Sequence, residues 1–141
     1  MLTGMSHLAL TVKDMEKSMD FFCRVLGFKK AFELNEPQTG KPWIVYLYVG
    51  GKQFVELFYN GNKDNPWENG TRGFNHICFE VDDIHQFAKH VEAEGYTMDR
   101  PPVKGSDNNW QCWLTDPDGV RIEVMQISPD SPQGKIFATG L

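Results

Sequence analysis

Apolar and polar positions alternate along this chain in one pattern that occurs twice. Leu8, Leu10 and Val12 alternate with His7, Ala9 and Thr11, the period of two of a half-buried strand. Asp14 then stands as a helix cap. Met15, Met19, Phe22 and Leu26 recur at helical spacing, and Gly27 follows where a left-handed C-terminal residue is wanted. Further on, Ile77, Phe79 and Val81 alternate with His76, Cys78 and Glu80. Asp83 and Gln86 have capping-box spacing; Ile84, Phe87, Ala88 and Val91 form the apolar stripe, and Gly95 ends it.

The two stretches are copies. HLALTVKDMEKSMDFFCRVLGF, His7 to Phe28, aligns with HICFEVDDIHQFAKHVEAEGY, His76 to Tyr96, with one residue dropped near the helix end. After each helix come three strand-like stretches, at 29–36, 43–49 and 52–59 and again at 97–104, 109–115 and 120–127. Gly50-Gly51 and Asp116-Pro117-Asp118-Gly119 supply the hairpin turns. The expected class is α+β: two βαβββ modules, 4–60 and 73–128, within one domain spanning 1–141. The Gly- and Asn-rich stretch 61–72 links them, and the tail 129–141, with two prolines and two glycines, receives no element. A sheet with a helix on one face leaves the other face open, so two such modules side by side are expected to make a half-open barrel.

The alternation decides which side chains look into that concavity. If Leu8, Leu10 and Val12 pack against a helix, His7 points the other way, and by the same argument so does His76. On the last strand of each half, Val55 and Leu57 flank Glu56, and Ile122 and Val124 flank Glu123. Both glutamates are therefore expected on the open face. His7 and Glu56 are 49 residues apart and His76 and Glu123 are 47 apart, so the four occupy matching places in the repeat. Taken singly, a strand histidine is more often hydrogen-bonded or exposed than a ligand, and a strand glutamate is more often solvated. The joint, repeated placement reverses those odds. Two imidazoles and two carboxylates suit one first-row divalent ion with positions left for water, which is a catalytic kind of site rather than a closed structural one. His85 and His90, in the second helix, are assigned to solvent, and Trp67, Trp110 and Trp113 to packing ahead of pocket lining.

Composition narrows the function classes. The 141 residues, 40% hydrophobic and 23% charged, can bury a core without disulfides or a structural metal. A net charge of −5 and the lack of any Lys/Arg run argue against nucleic-acid and membrane partners. Cys23, Cys78 and Cys112 form no C-x-x-C pair and read as small buried hydrophobes in a reducing compartment. With no basic leader in MLTGMSHLAL, a cytoplasmic location is expected.

The paired βαβββ pattern, the opening S-H-L-A-L-T-V-K-D-M with F-F-C-R-V-L-G-F, V-E-L-F-Y-N, F-N-H-I-C-F-E-V-D-D and D-P-D-G-V-R-I-E-V resemble the vicinal oxygen chelate superfamily over about residues 4–128. That superfamily includes glyoxalase I, methylmalonyl-CoA epimerase, extradiol dioxygenases and the fosfomycin and bleomycin resistance proteins. Within it, the His-Glu-His-Glu set is most similar to short bacterial glyoxalase I. The resemblance implies a metal-dependent lyase that converts a methylglyoxal-thiol hemithioacetal to a lactoyl thioester through an enediolate. It implies Glu123 as the base with Glu56 sharing the role, Asn60 as a glutathione contact, and a homodimer. Ni²⁺ or Co²⁺ is the first choice of ion, since the longer insertions of zinc-type enzymes are lacking; Zn²⁺, Mn²⁺ and Fe²⁺ are the alternatives. Two departures bear on substrate. Thr11 stands where the short bacterial enzymes have an Arg for the glutathione carboxylate, and Ala9 stands where fosfomycin enzymes have their catalytic Thr. The alternatives are a fosfomycin-type epoxide opening or an epimerisation on the same site, or a non-catalytic module that binds a small ligand.

Overall fold

A computed structural model describes residues 1–64, 68–70 and 72–140. Trp67 and part of the linker expected at 61–72 lie outside the described residues. The chain divides into two compact units.

The first unit contains β1 (His7–Thr11), α1 (Met15–Met19), β2 (Lys29–Asn35), β3 (Pro42–Gly50) and β4 (Gln53–Phe58). Its sheet runs β1-β4-β3-β2, with β1 parallel to β4 and the other pairs antiparallel. Asp14 Oδ1 caps α1 by accepting from the Lys17 backbone N–H at 3.1 Å. The core is built as alternation requires: Val12, Val45, Leu47, Val55 and Leu57 are buried together with Phe21, Phe22 and Val25. Each such side chain contributes about 1.5–3 kcal/mol by leaving water.

The first helix departs from the regular 3.6-residue stripe. Beyond Met19 the chain continues as a π-helical segment, Asp20–Val25, with Leu26 N–H donating to Phe21 O at 3.0 Å. The widened turn shifts the inward face. The buried positions are Ser18, Phe21, Phe22 and Val25, while Met15, Met19 and Leu26 are half-buried. Both phenylalanines thus turn inward, ring against ring at 5.2 Å.

The second unit contains β5 (Ile77–Glu80), α2 (Ile84–Ala93), β6 (Arg100–Lys104), β7 (Trp110–Thr115), β8 (Arg121–Gln126) and α3 (Pro132–Thr139). Its sheet, β5-β8-β7-β6, repeats the topology of the first, with β5 parallel to β8. Asp83 Oδ1 caps α2 through the His85 and Gln86 N–H groups, both at 2.9 Å. Ile84, Val91, Leu114, Ile122 and Val124 fill the core. β6 starts at Arg100 rather than 97 and carries Pro101-Pro102. Prolines lack the ladder N–H, and this strand is the sheet edge, where they are tolerated.

The tail forms a helix that the glycines and prolines concealed. Ser131 Oγ, fully buried, accepts from Gly134 N–H at 2.9 Å, and Pro132 opens the first turn. Asn109, also fully buried, ties this helix down: its Nδ2 donates to Gln133 Oε1 at 3.0 Å and its Oδ1 accepts from Ser128 N–H at 2.9 Å. A side chain at Gly134 would collide with Ser128 O, so the close approach needs glycine. Among the described residues, no helix is long and apolar enough to cross a membrane.

Candidate metal and active site

In each unit the sheet face turned away from the helix carries one imidazole and one carboxylate. Glu56 sits in the middle of β4, with Ala9 of β1 on one side and Tyr46 of β3 on the other as register partners. Glu123 occupies the equivalent place in β8, between Cys78 of β5 and Trp113 of β7. The rung is repeated, residue for residue.

His7 Nδ1 lies 3.4 Å from Glu56 Oε1, and His76 Nε2 lies 3.1 Å from Glu123 Oε2. Of the four residues expected at one ion, each unit brings one His and one Glu side by side. The two pairs are not identical: different ring nitrogens are presented, and the His7 side chain is 50% exposed against 32% for His76. Among the described residues, no three His, Cys, Asp or Glu groups gather in a metal-binding cluster. Each unit by itself supplies two donors.

Both glutamates are only 6% exposed, which is far from the solvated placement usual on an open strand face. A buried carboxylate costs free energy unless it is hydrogen-bonded or paired. Tyr46 stands across the strand pair from Glu56, and burial first, then that carboxylate, push its phenol above the ordinary value. Cys78 stands beside Glu123 in the same way: desolvation of its sulfur, then the Glu123 carboxylate, push the thiol up to about 12. Within each unit, a buried carboxylate facing an imidazole nitrogen offers one oxygen and one nitrogen, donor types that first-row divalent ions accept.

Several neighbours of the site were assigned elsewhere or not at all from sequence. Trp113, given a packing role, meets His76 edge-on at 4.9 Å, and its indole N–H donates to Gln111 Oε1 at 2.8 Å. Arg121, two residues before Glu123, lays its guanidinium 4.8 Å from the Trp113 ring centre. Asn75 lies between Arg121 and His76. Strand parity would have placed Tyr46, Trp113 and Arg121 on the open face. Outside the site, His85 is exposed as expected but packs edge-on against Trp110 at 5.0 Å, so its ring serves the helix-sheet contact.

Asn60 and Thr11 stand at the ends of β4 and β1. Thr11 is exposed at the end of its strand. Asn60, also exposed, takes a left-handed conformation, φ 71°, which asparagine tolerates better than most residues. The next residue explains the turn: Gly61 N–H donates to Val12 O at 3.0 Å, and a Cβ there would lie 2.9 Å from the Val12 carbonyl.

Residues 4–124 match the model of the Glyoxalase/Bleomycin resistance protein/Dioxygenase superfamily. The chain belongs to that superfamily. Within this vicinal oxygen chelate family it is similar to curated lactoylglutathione lyases. It is 30% identical to that of Pseudomonas aeruginosa, covering 92% of this chain and 86% of the relative, and 32% identical to that of Haemophilus influenzae, covering 85% and 90%. Among solved structures, the glyoxalase family protein from Enterococcus faecalis superposes with a TM-score of 0.73 at 21% identity, over 86% of this chain and 96% of that one. That likeness bears on the fold, and the glyoxalase fold accounts for both repeated units.

Proposed function

We propose that this chain is a glyoxalase I-like lyase that isomerises the hemithioacetal of a 2-oxoaldehyde and a thiol, using one divalent ion held by His7, Glu56, His76 and Glu123. The observation that carries this reading is the repeated rung: in each unit a carboxylate only 6% exposed lies within 3.4 Å of an imidazole nitrogen, at equivalent strand positions. The likeness to curated lactoylglutathione lyases supports it. The two half-sites serve one ion, in a homodimer, with Ni²⁺ or Co²⁺ as the first choice and Zn²⁺, Mn²⁺ or Fe²⁺ as alternatives.

When bound, the ion supplies Lewis-acid polarisation to two adjacent substrate oxygens. The proton transfers belong to the chain. Glu123 takes the proton from the carbon that bears the hydroxyl and the sulfur, and returns it to the neighbouring carbonyl carbon. The hydroxyl proton passes to the second oxygen, so a hydroxyketone-like adduct becomes a 2-hydroxy thioester with no net oxidation. Glu56 shares the role of ligand and carboxylate, with Tyr46 as its cross-strand neighbour. Tyr46 and Trp113 stand on the same rungs as the carboxylates, beside the place where the adduct reacts.

Asn60 contacts the thiol moiety of the adduct. Thr11 is uncharged where the short bacterial enzymes place an arginine, so a thiol carboxylate gains no charge-assisted contact there, a loss of about 1.5–3 kcal/mol. Glutathione is therefore a weaker partner for this chain than for those enzymes, and a thiol without that carboxylate loses less. Ala9, the rung partner of Glu56, has no hydroxyl, which disfavours the epoxide-opening reading. The three cysteines are free, in keeping with the cytoplasm as the place of action.

The test is an isomerisation assay of methylglyoxal hemithioacetals, formed with glutathione and with smaller thiols, after adding each of the five ions to metal-free protein. Metal-dependent thioester formation is expected, strongest with Ni²⁺ or Co²⁺. No thioester with any thiol and any ion contradicts the proposal.

A further inference from the structure

The His76 ring is held on three sides. Asn75 Oδ1 lies 2.7 Å from Nδ1, Glu123 Oε2 lies 3.1 Å from Nε2, and the Trp113 ring meets the imidazole edge-on at 4.9 Å. Asn75 is itself oriented. Arg121 Nη1 addresses the same Oδ1 at 3.4 Å while the guanidinium rests over Trp113 at 4.8 Å. A guanidinium can only donate, so the Asn75 atom it faces is the amide oxygen and not the nitrogen. An oxygen 2.7 Å from Nδ1 in turn requires the proton to be on Nδ1. Nε2 faces Glu123 Oε2 at 3.1 Å, and it is the nitrogen that a bound ion would take in place of that contact.

We propose that Asn75 is a positioning residue: its amide oxygen, oriented by Arg121 and Trp113, holds the Nδ1–H of His76 so that Nε2 is offered to the metal ion. This rests on the reading of His76 and Glu123 as metal ligands. A ligating histidine is oriented, and its basicity raised, by the acceptor on its other nitrogen. The first repeat lacks this device. Ser6 precedes His7, its carbonyl oxygen accepts from Phe54 N–H at 3.1 Å, and His7 presents Nδ1 to Glu56. The repeat is thus broken at the residue before each histidine, and the second half-site is the better organised of the two.

The experiment compares wild type with Asn75→Ala and Asn75→Asp. Zn²⁺ affinity is measured by competition with a chromogenic chelator. The imidazole N–H signals of Zn²⁺-loaded protein carrying isotope-labelled histidine are recorded alongside. In the wild type, His76 is expected to bind Zn²⁺ through Nε2 and to show a slowly exchanging Nδ1–H. Asn75→Ala is expected to weaken Zn²⁺ binding about 10–100-fold and to release that proton to exchange. Asn75→Asp, which keeps an acceptor in place, is expected to restore both, a rescue that a merely structural role would not give. Unchanged affinity and an unchanged proton signal in Asn75→Ala overturn the proposal. If the wild type binds none of Zn²⁺, Ni²⁺ or Co²⁺, the metal reading itself fails and the proposal with it, an outcome distinct from the first.

Discussion

Tyr46 and Glu56 are cross-strand partners on the open face of the first sheet. Burial and the neighbouring carboxylate together hold the Tyr46 phenol above its ordinary value. Glu56→Gln removes the negative charge and leaves the burial. The phenol of Tyr46 is then expected to ionise at lower pH than in the wild type, though still above a free tyrosine. Tyrosinate absorbance, followed in metal-free protein with the other tyrosines as internal reference, reads the shift directly. An unmoved titration contradicts the pairing.

Glu123 and Glu56 differ in their expected kinetic roles. Glu123→Gln keeps an oxygen for the metal but cannot accept a proton, so turnover is expected to fall about 10²–10⁴-fold with metal still bound. Glu56→Gln is expected to cost less in turnover. Measured kcat and metal content for the two variants check the assignment, and full activity in Glu123→Gln sinks it.

Cys78 is an exposed residue whose thiol is nonetheless a poor nucleophile. With its ionisation pushed up to about 12, little thiolate exists at neutral pH. In metal-free protein it is expected to react with iodoacetamide far more slowly than a free cysteine. Burial is the larger cause, and Glu123→Gln, by removing the charge that adds to it, is expected to speed the reaction. Mass spectrometry of the peptide containing Cys78 measures both rates.

Asp116 holds the β7–β8 turn. Its Oδ1 accepts from Asp118 N–H at 2.9 Å and from Val120 N–H at 2.8 Å, and the residue is 4% exposed. Asp116→Ala leaves those donors unmatched and is expected to destabilise the fold by about 2 kcal/mol. Burial raises the Asp116 pKa in spite of the backbone N–H groups around its carboxylate. A raised folded-state value means that its contribution is complete below the unfolded aspartate pKa and declines as pH rises through the folded value. The stability gap between wild type and Asp116→Ala is therefore expected to shrink from acid toward neutral pH, as read from denaturant midpoints.

The strand and helix order was legible because alternation and capping repeat in both halves. The parity of Leu8, Leu10 and Val12 against His7, and of Val55 and Leu57 against Glu56, placed each imidazole and carboxylate on the same face of its sheet. What parity cannot report is local winding or side-chain company. The π-helical segment at Asp20–Val25 arises from packing Phe21 and Phe22 inward together, which a 3.6-residue stripe through Met15 and Leu26 does not express. The tail helix had a legible start at Ser131-Pro132, but its anchor is the buried Asn109, remote in sequence. Asn75 is hidden in the sequence for a similar reason. It lies just before β5, outside the alternating pattern, and its role emerges only where Arg121 and His76 converge on its oxygen.

If donors from both repeats hold one ion, as proposed, metal titration of His7→Ala and His76→Ala beside the wild type is the most direct test. Calorimetry with Ni²⁺ on metal-free protein is expected to give one ion per chain in the wild type, with binding severely weakened in both variants. Two independent ions per chain, or full affinity in either variant, would contradict the account.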